Sequence, residues 1–359
     1  MSTHGDSLID RAGRPQVPAG RRVLAAQMVT TSMGSSLRSL GEANTPSAAS
    51  RLVGVAGTRV DTVRPVWLLA SAFLGVCVAG FWNVRAVDGL GVALFVSPVV
   101  GAFEGIAGEF ATRGPAFGVL FAAAAGLAAT ITASNVASFA LLPLLVLAVC
   151  GAWRGTLLPA LGITAATVAC VGALYGVFVG RLGPEGAAAF NAGSIRGAQS
   201  FAVFGTIGVA MLVCAAFEFG LFAGPTRGAT STTRAFLAQR SVRAAAVGLA
   251  IGGFTLGRPL AVFREVLLYA AQPSSPAYGA LVLATQALAN FAVPAAVAAS
   301  VVATRQGRIA LWASDRPQKA AALSACALAA GGAFLIFYWA VSRVWPSIGR
   351  WGFQLGIYQ

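Results

Sequence analysis

The chain has 359 residues, of which 57% are hydrophobic and only 10% charged, with a mean hydropathy of +0.77 and a formal net charge of +14. Soluble domains carry about 25% charged residues, so this composition excludes a water-soluble globular protein. The basic residues fall mostly between apolar stretches, a pattern that marks membrane topology and contact with anionic headgroups instead of nucleic acid.

Residues 1–65 are polar, arginine-bearing and without sustained periodicity, and are expected to form a disordered cytoplasmic leader. An extra transmembrane helix follows at 66–84, close to the roughly 20 residues that a hydrocarbon core of about 30 Å requires. Segment 85–115 is predicted as an extracytoplasmic amphipathic helix and loop on the membrane surface. Its Val92, Val96, Val99, Phe103, Ile106 and Phe110 recur at helical spacing while Asp88, Glu104 and Glu109 fall elsewhere, and Ser97-Pro98 fits an N-cap and first helical position.

The apolar run 116–150 would be roughly 52 Å long as one helix at about 1.5 Å per residue, so it must break. The expected break is Thr132-Ala133-Ser134-Asn135, whose short polar side chains can cap a second half-helix containing Pro143. Spans at 157–180 and 198–222 follow, separated by a polar loop at 181–197. The next apolar segment, 243–271, is again overlong and is interrupted at Gly252-Gly253 and at Gly257-Arg258-Pro259. Spans at 278–304 and 321–344 complete a membrane core over 116–344, and Trp345, Trp351, Phe353 and Tyr358 give 345–359 the character of an aromatic interfacial tail. Segments on the expected cytoplasmic side hold 16 basic residues and those on the other side six. This places the N-terminus in the cytoplasm of a multi-pass protein of the cell (inner or plasma) membrane.

Without the first span, six remain in two triplets, each opening with an overlong, broken segment. Three is odd, so the triplets enter the membrane from opposite sides, which is the arrangement that places a site at the midplane of inverted-repeat transporters. The fold class expected is therefore an all-α integral membrane protein of about seven transmembrane helices, with a six-helix core of two inverted three-helix repeats.

Through AATITASNVASFALLP at 128–143 and GFTLGRPLAVFREVLLYAA at 253–271, the core resembles the transmembrane domain of the cytochrome c biogenesis/DsbD (CcdA-like) proteins of the LysE-type transporter superfamily. The likeness covers about two thirds of the chain. It implies that fold, and in that family one cysteine on each broken helix relays reducing equivalents across the membrane. Here no cysteine lies between Thr130 and Pro143, where Ser134 holds the equivalent place, and none between Gly252 and Ala271. Serine cannot perform thiol–disulfide exchange, so the resemblance carries the fold and not the redox chemistry. Cys77, Cys150, Cys170, Cys214 and Cys326 are scattered singly and read as small buried hydrophobes.

Arginine at mid-membrane is costly, about 2.5–3.5 kcal/mol on insertion scales, which singles out Arg258. With Gly257 freeing the backbone and Pro259 suited to begin a half-helix, Arg258 either faces an anion site or snorkels to headgroups, as Arg264 and Glu265 can. Substrate-binding candidates are Arg258, Thr132, Ser134 and Asn135, with Gln286 and Asn290, which share one face of 278–304 with Pro294. The helix breaks are assigned to Gly257, Pro259 and Pro143. Glu218 reads as an interfacial acid or a proton relay, and Tyr175, Tyr269 and Tyr278 as belt residues. His4 is the only histidine, and no phosphate loop or Ser/His/Asp set occurs. Neither an enzyme nor a cofactor or metal is expected. The expectation is a transporter-like protein binding or moving a small anionic solute, with the lipid bilayer as its other partner. The alternatives are a transmembrane redox conduit using other cysteines, such as Cys150 and Cys326, and a non-transporting scaffold subunit.

Overall fold

The computed structural model describes residues 64–149, 153–219, 221, 239–304, 308–345 and 348–358. The leader as far as residue 63, most of the basic loop 223–242 and Cys150 lie outside these residues.

All regular structure among the described residues is helical. Helix α1 spans Arg64–Gly80 and α2 spans Val84–Val100, with a π-turn at Val92–Val96. A 3-10 turn at Ile106–Glu109 leads into α3, Phe110–Ala129. Helices α4, Ala133–Ala140, and α5, Leu142–Val149, come next. The long α6, Trp153–Asn191, and α7, Gly193–Glu218, are followed by α8, Arg240–Leu256, and α9, Ala261–Ala271. Helices α10, Pro276–Thr304, α11, Arg308–Asp315, and α12, Pro317–Leu335, lead to a second π-turn at Ile336–Val341.

Five helices are long and apolar enough to cross a membrane, and seven crossings result if each of two bent pairs is one span. The bent pairs are α1 with α2, at 84°, and α8 with α9, at 90°. The protein is therefore a polytopic membrane protein by the length and composition of its helices. Many large apolar side chains point outward, among them Trp67, Phe73, Leu158 and Leu174. Such a surface suits contact with lipid.

Within segment 85–115 the helical spacing from Val92 to Phe110 is not one continuous helix. The helical run stops at Gly101, whose φ of 73° breaks it, and the chain starts again at Ile106. Ser97 is not an N-cap: it lies inside the run at φ −57°, ψ −38°, and Val96 before it is helical too. The polar stretch after 180 is also not a loop throughout, because α6 kinks at Gly183 (φ 65°) before Pro184 and continues to Asn191.

Close approaches fix the relative directions of the helices. A β-carbon on Gly118 would meet Tyr278, and one on Gly126 would meet Gln286 and Ala289, so α3 and α10 run parallel. Gly172 lies against Leu283, Gly176 against Gly279 and Gly180 against Ser275, so α6 and α10 are antiparallel. Gly248 faces Thr164 and Gly252 faces Val171, which makes α6 and α8 parallel. Gly208 packs between Gly332 and Ile336 while Leu212 meets Gly332, so α7 and α12 oppose each other. Reporter fusions after residues 235 and 275 test whether the bent α8–α9 pair crosses the membrane. They are expected on opposite sides, the first cytoplasmic, whereas both on one side would make the pair a re-entrant loop.

Besides a small cluster of Ala160, Ala244 and Val302, two large apolar clusters build the interior of the described residues. One contains Ala128, Ala129, Val262 and Phe263, the other Ala133, Ala137, Phe254 and Phe291. The chain therefore passes from one cluster to the other at both breaks, 130–132 and 257–260. Polar groups at the breaks are held in the seam between the clusters.

Candidate functional site

The first break occurs where it was expected. Helix α3 closes in a tight turn, with the N–H groups of Thr130, Ile131 and Thr132 donating to the carbonyls three residues back at 3.0–3.2 Å. Thr132 is extended (φ −72°, ψ 159°), and its hydroxyl donates back to Ala129 O at 2.7 Å. It therefore does not cap α4 with its side chain. Asp88 does so from α2, accepting the Ala133 N–H at 3.3 Å. An acid at a helix N-terminus satisfies an orphan donor and complements the dipole. Pro143 makes a weaker interruption than expected. It is the second residue of α5, and Leu141 before that helix is itself helical at φ −81°, ψ −14°.

The second break is held from outside the segment. The last carbonyls of α8 lack intrahelical donors, and helix α7 supplies them. Arg196 donates to Leu256 O at 3.3 Å and to Arg258 O, and Ser200 donates to Gly257 O. Arg196 is itself oriented by the Tyr175 hydroxyl and Gln199 Oε1, each at 2.7 Å. Gly257 is not required for backbone freedom, since its φ of −88° suits any residue. A β-carbon there would lie 2.8 Å from the Phe204 ring. Pro259 does not open the half-helix either: Leu260, extended at ψ 146°, is the N-cap of α9, and the helix begins at Ala261.

The two breaks meet through side chains. The Arg258 guanidinium donates to Asn135 Oδ1 at 2.9 Å, stands over the Phe263 ring at 5.0 Å and feels the charge of Asp88. Its residue is 1% exposed, which excludes snorkelling to headgroups. Arginine has only donors, so Asn135 must turn its oxygen to Arg258 and its amide nitrogen to Asn290 Oδ1. Ser138 adds a hydroxyl to Asn135 Oδ1 at 3.1 Å. The same logic fixes Asn290: its oxygen is taken, and its amide nitrogen is buried with no acceptor among the described residues. By the parallel register of α3 and α10, Thr130 lies level with Asn290, and its buried hydroxyl also lacks a partner among the described residues.

Arg258, Asn135 and Asn290 thus form one connected network. Thr132 and Gln286 are buried near its ends, in the break and one turn before Asn290 on α10 respectively. Ser134 stands in the first turn of α4, and its side chain lies outside the described residues. Arg264 is exposed, whereas Glu265 accepts the Ala107 N–H at 3.5 Å and so ties α9 to the 3-10 turn instead of reaching headgroups. Glu218 pairs with Arg243 at 3.2 Å.

Tyr175 and Tyr269 are buried, not belt residues, because their hydroxyls have internal partners: Arg196 donates to Tyr175, and Tyr269 donates to Gly114 O at 2.8 Å. The cysteines also depart from expectation. Cys170 and Cys214 are exposed, Cys77 and Cys326 half-buried, and all four are free thiols.

Asp88 and Arg196 were not among the sequence candidates. Asp88 was placed on a surface helix by its spacing, and Arg196 in a polar loop. The one sequence signal for each was a charge at the margin of an apolar stretch. No protein-family model matches this chain, and no curated protein or solved structure was found to be similar to it.

Proposed function

We propose that this is a transporter-like membrane protein that binds a small anionic solute at Arg258, where the two broken helices meet. The observation that carries the proposal is a fully buried guanidinium at the seam of two half-helix pairs, in contact with Asn135 of the opposite break. An intramembrane arginine is retained at a cost in insertion, which marks function by default. The amide nitrogen of Asn290 offers further donors beside it, and donors without acceptors suit an oxyanion.

The packing pattern supports the inverted repeat. The first helix of each triplet packs on the second helix of the other, α3 on α10 and α8 on α6. The two second helices, α6 and α10, pair antiparallel, as do the two third helices, α7 and α12. This is what a two-fold axis in the membrane plane produces, and the helix directions agree with seven alternating crossings. The extended residues Thr132 and Leu260 hold matching places before α4 and α9. These features favour the cytochrome c biogenesis/LysE-type fold, without its cysteine relay.

One observation favours the scaffold reading instead: Arg258 already donates to Asn135, which in turn donates to Asn290, so the network can serve as a cross-link. Anion-dependent melting of the purified protein separates the two. Nitrate, acetate or sulfate is expected to raise the melting temperature of wild type and of Arg264→Ala, whose side chain is exposed. Arg258→Gln is expected to lose the response. Arg258→Lys is expected to need about ten times more anion, because lysine keeps the charge but not the planar fork. Equal responses from the Arg258 variants and Arg264→Ala would sink the anion site. No response in any of them would leave the scaffold.

A further inference from the structure

We propose that binding of an anion at Arg258 is coupled to the uptake of one proton by Asp88. This rests on the anion-binding reading of Arg258 and adds the co-ligand that such a site requires. Asp88 is 8% exposed and Arg258 1% exposed, and both reach the first turn of α4, Asp88 at the Ala133 N–H (3.3 Å) and Arg258 at Asn135 Oδ1 (2.9 Å), so the two opposite charges act on each other in the seam. The resting pair is neutral overall. Bringing an anion to Arg258 with Asp88 still ionised leaves one uncompensated negative charge out of water, and a buried charge without a partner is strongly unfavourable. A proton on Asp88 removes that charge. The balance is one anion and one proton added to the carboxylate and the guanidinium, giving a neutral carboxylic acid and an arginine–anion pair, again neutral overall.

Among the described residues, the groups that face Asp88 include no other carboxylic acid. From the α8–α9 break it faces Arg258, from the second π-turn the Tyr338 phenol, which Arg350 also acts on, and from the α1–α2 corner the Trp82 indole. Helix α4 presents the Ala133 N–H, and α3 presents backbone, with Ala128 O against Gly91. Arg85, on Asp88's own helix, lies over the Phe353 ring at 6.0 Å. Once protonated, Asp88 can still accept the Ala133 N–H through one oxygen. Its attraction for Arg258 is lost, so the guanidinium, still donating to Asn135, turns its positive charge to the incoming oxyanion. Linkage is reciprocal: if the anion brings a proton, acid must tighten anion binding by the same factor.

The test uses the full-length protein in detergent, sodium nitrate as probe and a weakly buffered solution with a pH-indicating dye. The expected result is about one proton taken up per nitrate bound. The Kd is expected to rise about tenfold per pH unit over the range in which Asp88 is ionised. Asp88→Asn is expected to bind nitrate with no proton uptake and no pH dependence. Nitrate should also raise its melting temperature more than that of wild type, because the anion then supplies the charge that Arg258 lacks. Nitrate binding to wild type without proton uptake overturns the coupling and leaves the anion site standing. Proton uptake that persists in Asp88→Asn removes Asp88 from the proposal. Nitrate binding to neither protein overturns both readings. The wild-type proton count decides the coupling even if Asp88→Asn does not fold.

Discussion

Arg258→Ala is expected to destabilise the protein by about 3–5 kcal/mol, the usual effect of leaving one of two buried opposite charges uncompensated. Three losses combine. The Asp88 carboxylate keeps its burial but loses its countercharge, Asn135 Oδ1 loses a charge-assisted donor at 2.9 Å, and the cation over Phe263 disappears. The melting temperature should fall on the order of 10 °C. A double-mutant cycle identifies the cause. Asp88→Asn with Arg258→Gln removes both charges and keeps the polar shapes, so it should be more stable than the sum of the single changes by about 0.5–3 kcal/mol. Strict additivity in thermal or denaturant unfolding would show that the two charges do not interact, and the proton-coupling proposal would fall with that result.

Gly176→Ala is expected to destabilise by about 2–3 kcal/mol, although alanine is the better helix former by about 1 kcal/mol. A β-carbon at Gly176 would lie 2.0 Å from Gly279 O and 2.4 Å from its carbonyl carbon, and both are backbone atoms of a facing helix. No rotamer change relieves that contact, so α6 and α10 must separate. Close helix approach through small residues replaces the hydrophobic drive that lipid does not provide. Gly162→Ala is the control on the same helix, with nothing within 4 Å of its β-carbon. It should be neutral or slightly stabilising. Equal effects at Gly162 and Gly176 would mean that the α6–α10 contact is looser than described.

The sequence by itself determined the membrane class, most of the helix positions and the two breaks. Each follows from local physics. An apolar run too long for a bilayer must break, and Thr132 and Gly257-Arg258-Pro259 were the places where polar or helix-breaking residues permitted it. Arg258 was legible for a related reason, because a charge inside an apolar segment is conspicuous in one dimension. What holds the breaks was not legible. Asp88 caps a helix that begins 45 residues later, and Arg196 and Ser200 satisfy carbonyls some 60 residues away. The same distance in sequence hid the roles of Gly257, which makes room for Phe204, and of Tyr175 and Tyr269, whose hydroxyls are used inside the protein. Periodicity reports which face of a helix is apolar, but it cannot say which other helix that face will meet. Only the tertiary structure decided that Arg258 is buried instead of snorkelling, and that an acid from outside the two triplets stands beside it. The reason is energetic: unpaired N–H, C=O and charged groups cannot remain in lipid, so their partners are chosen by proximity in the folded bundle and not by neighbourhood in the chain.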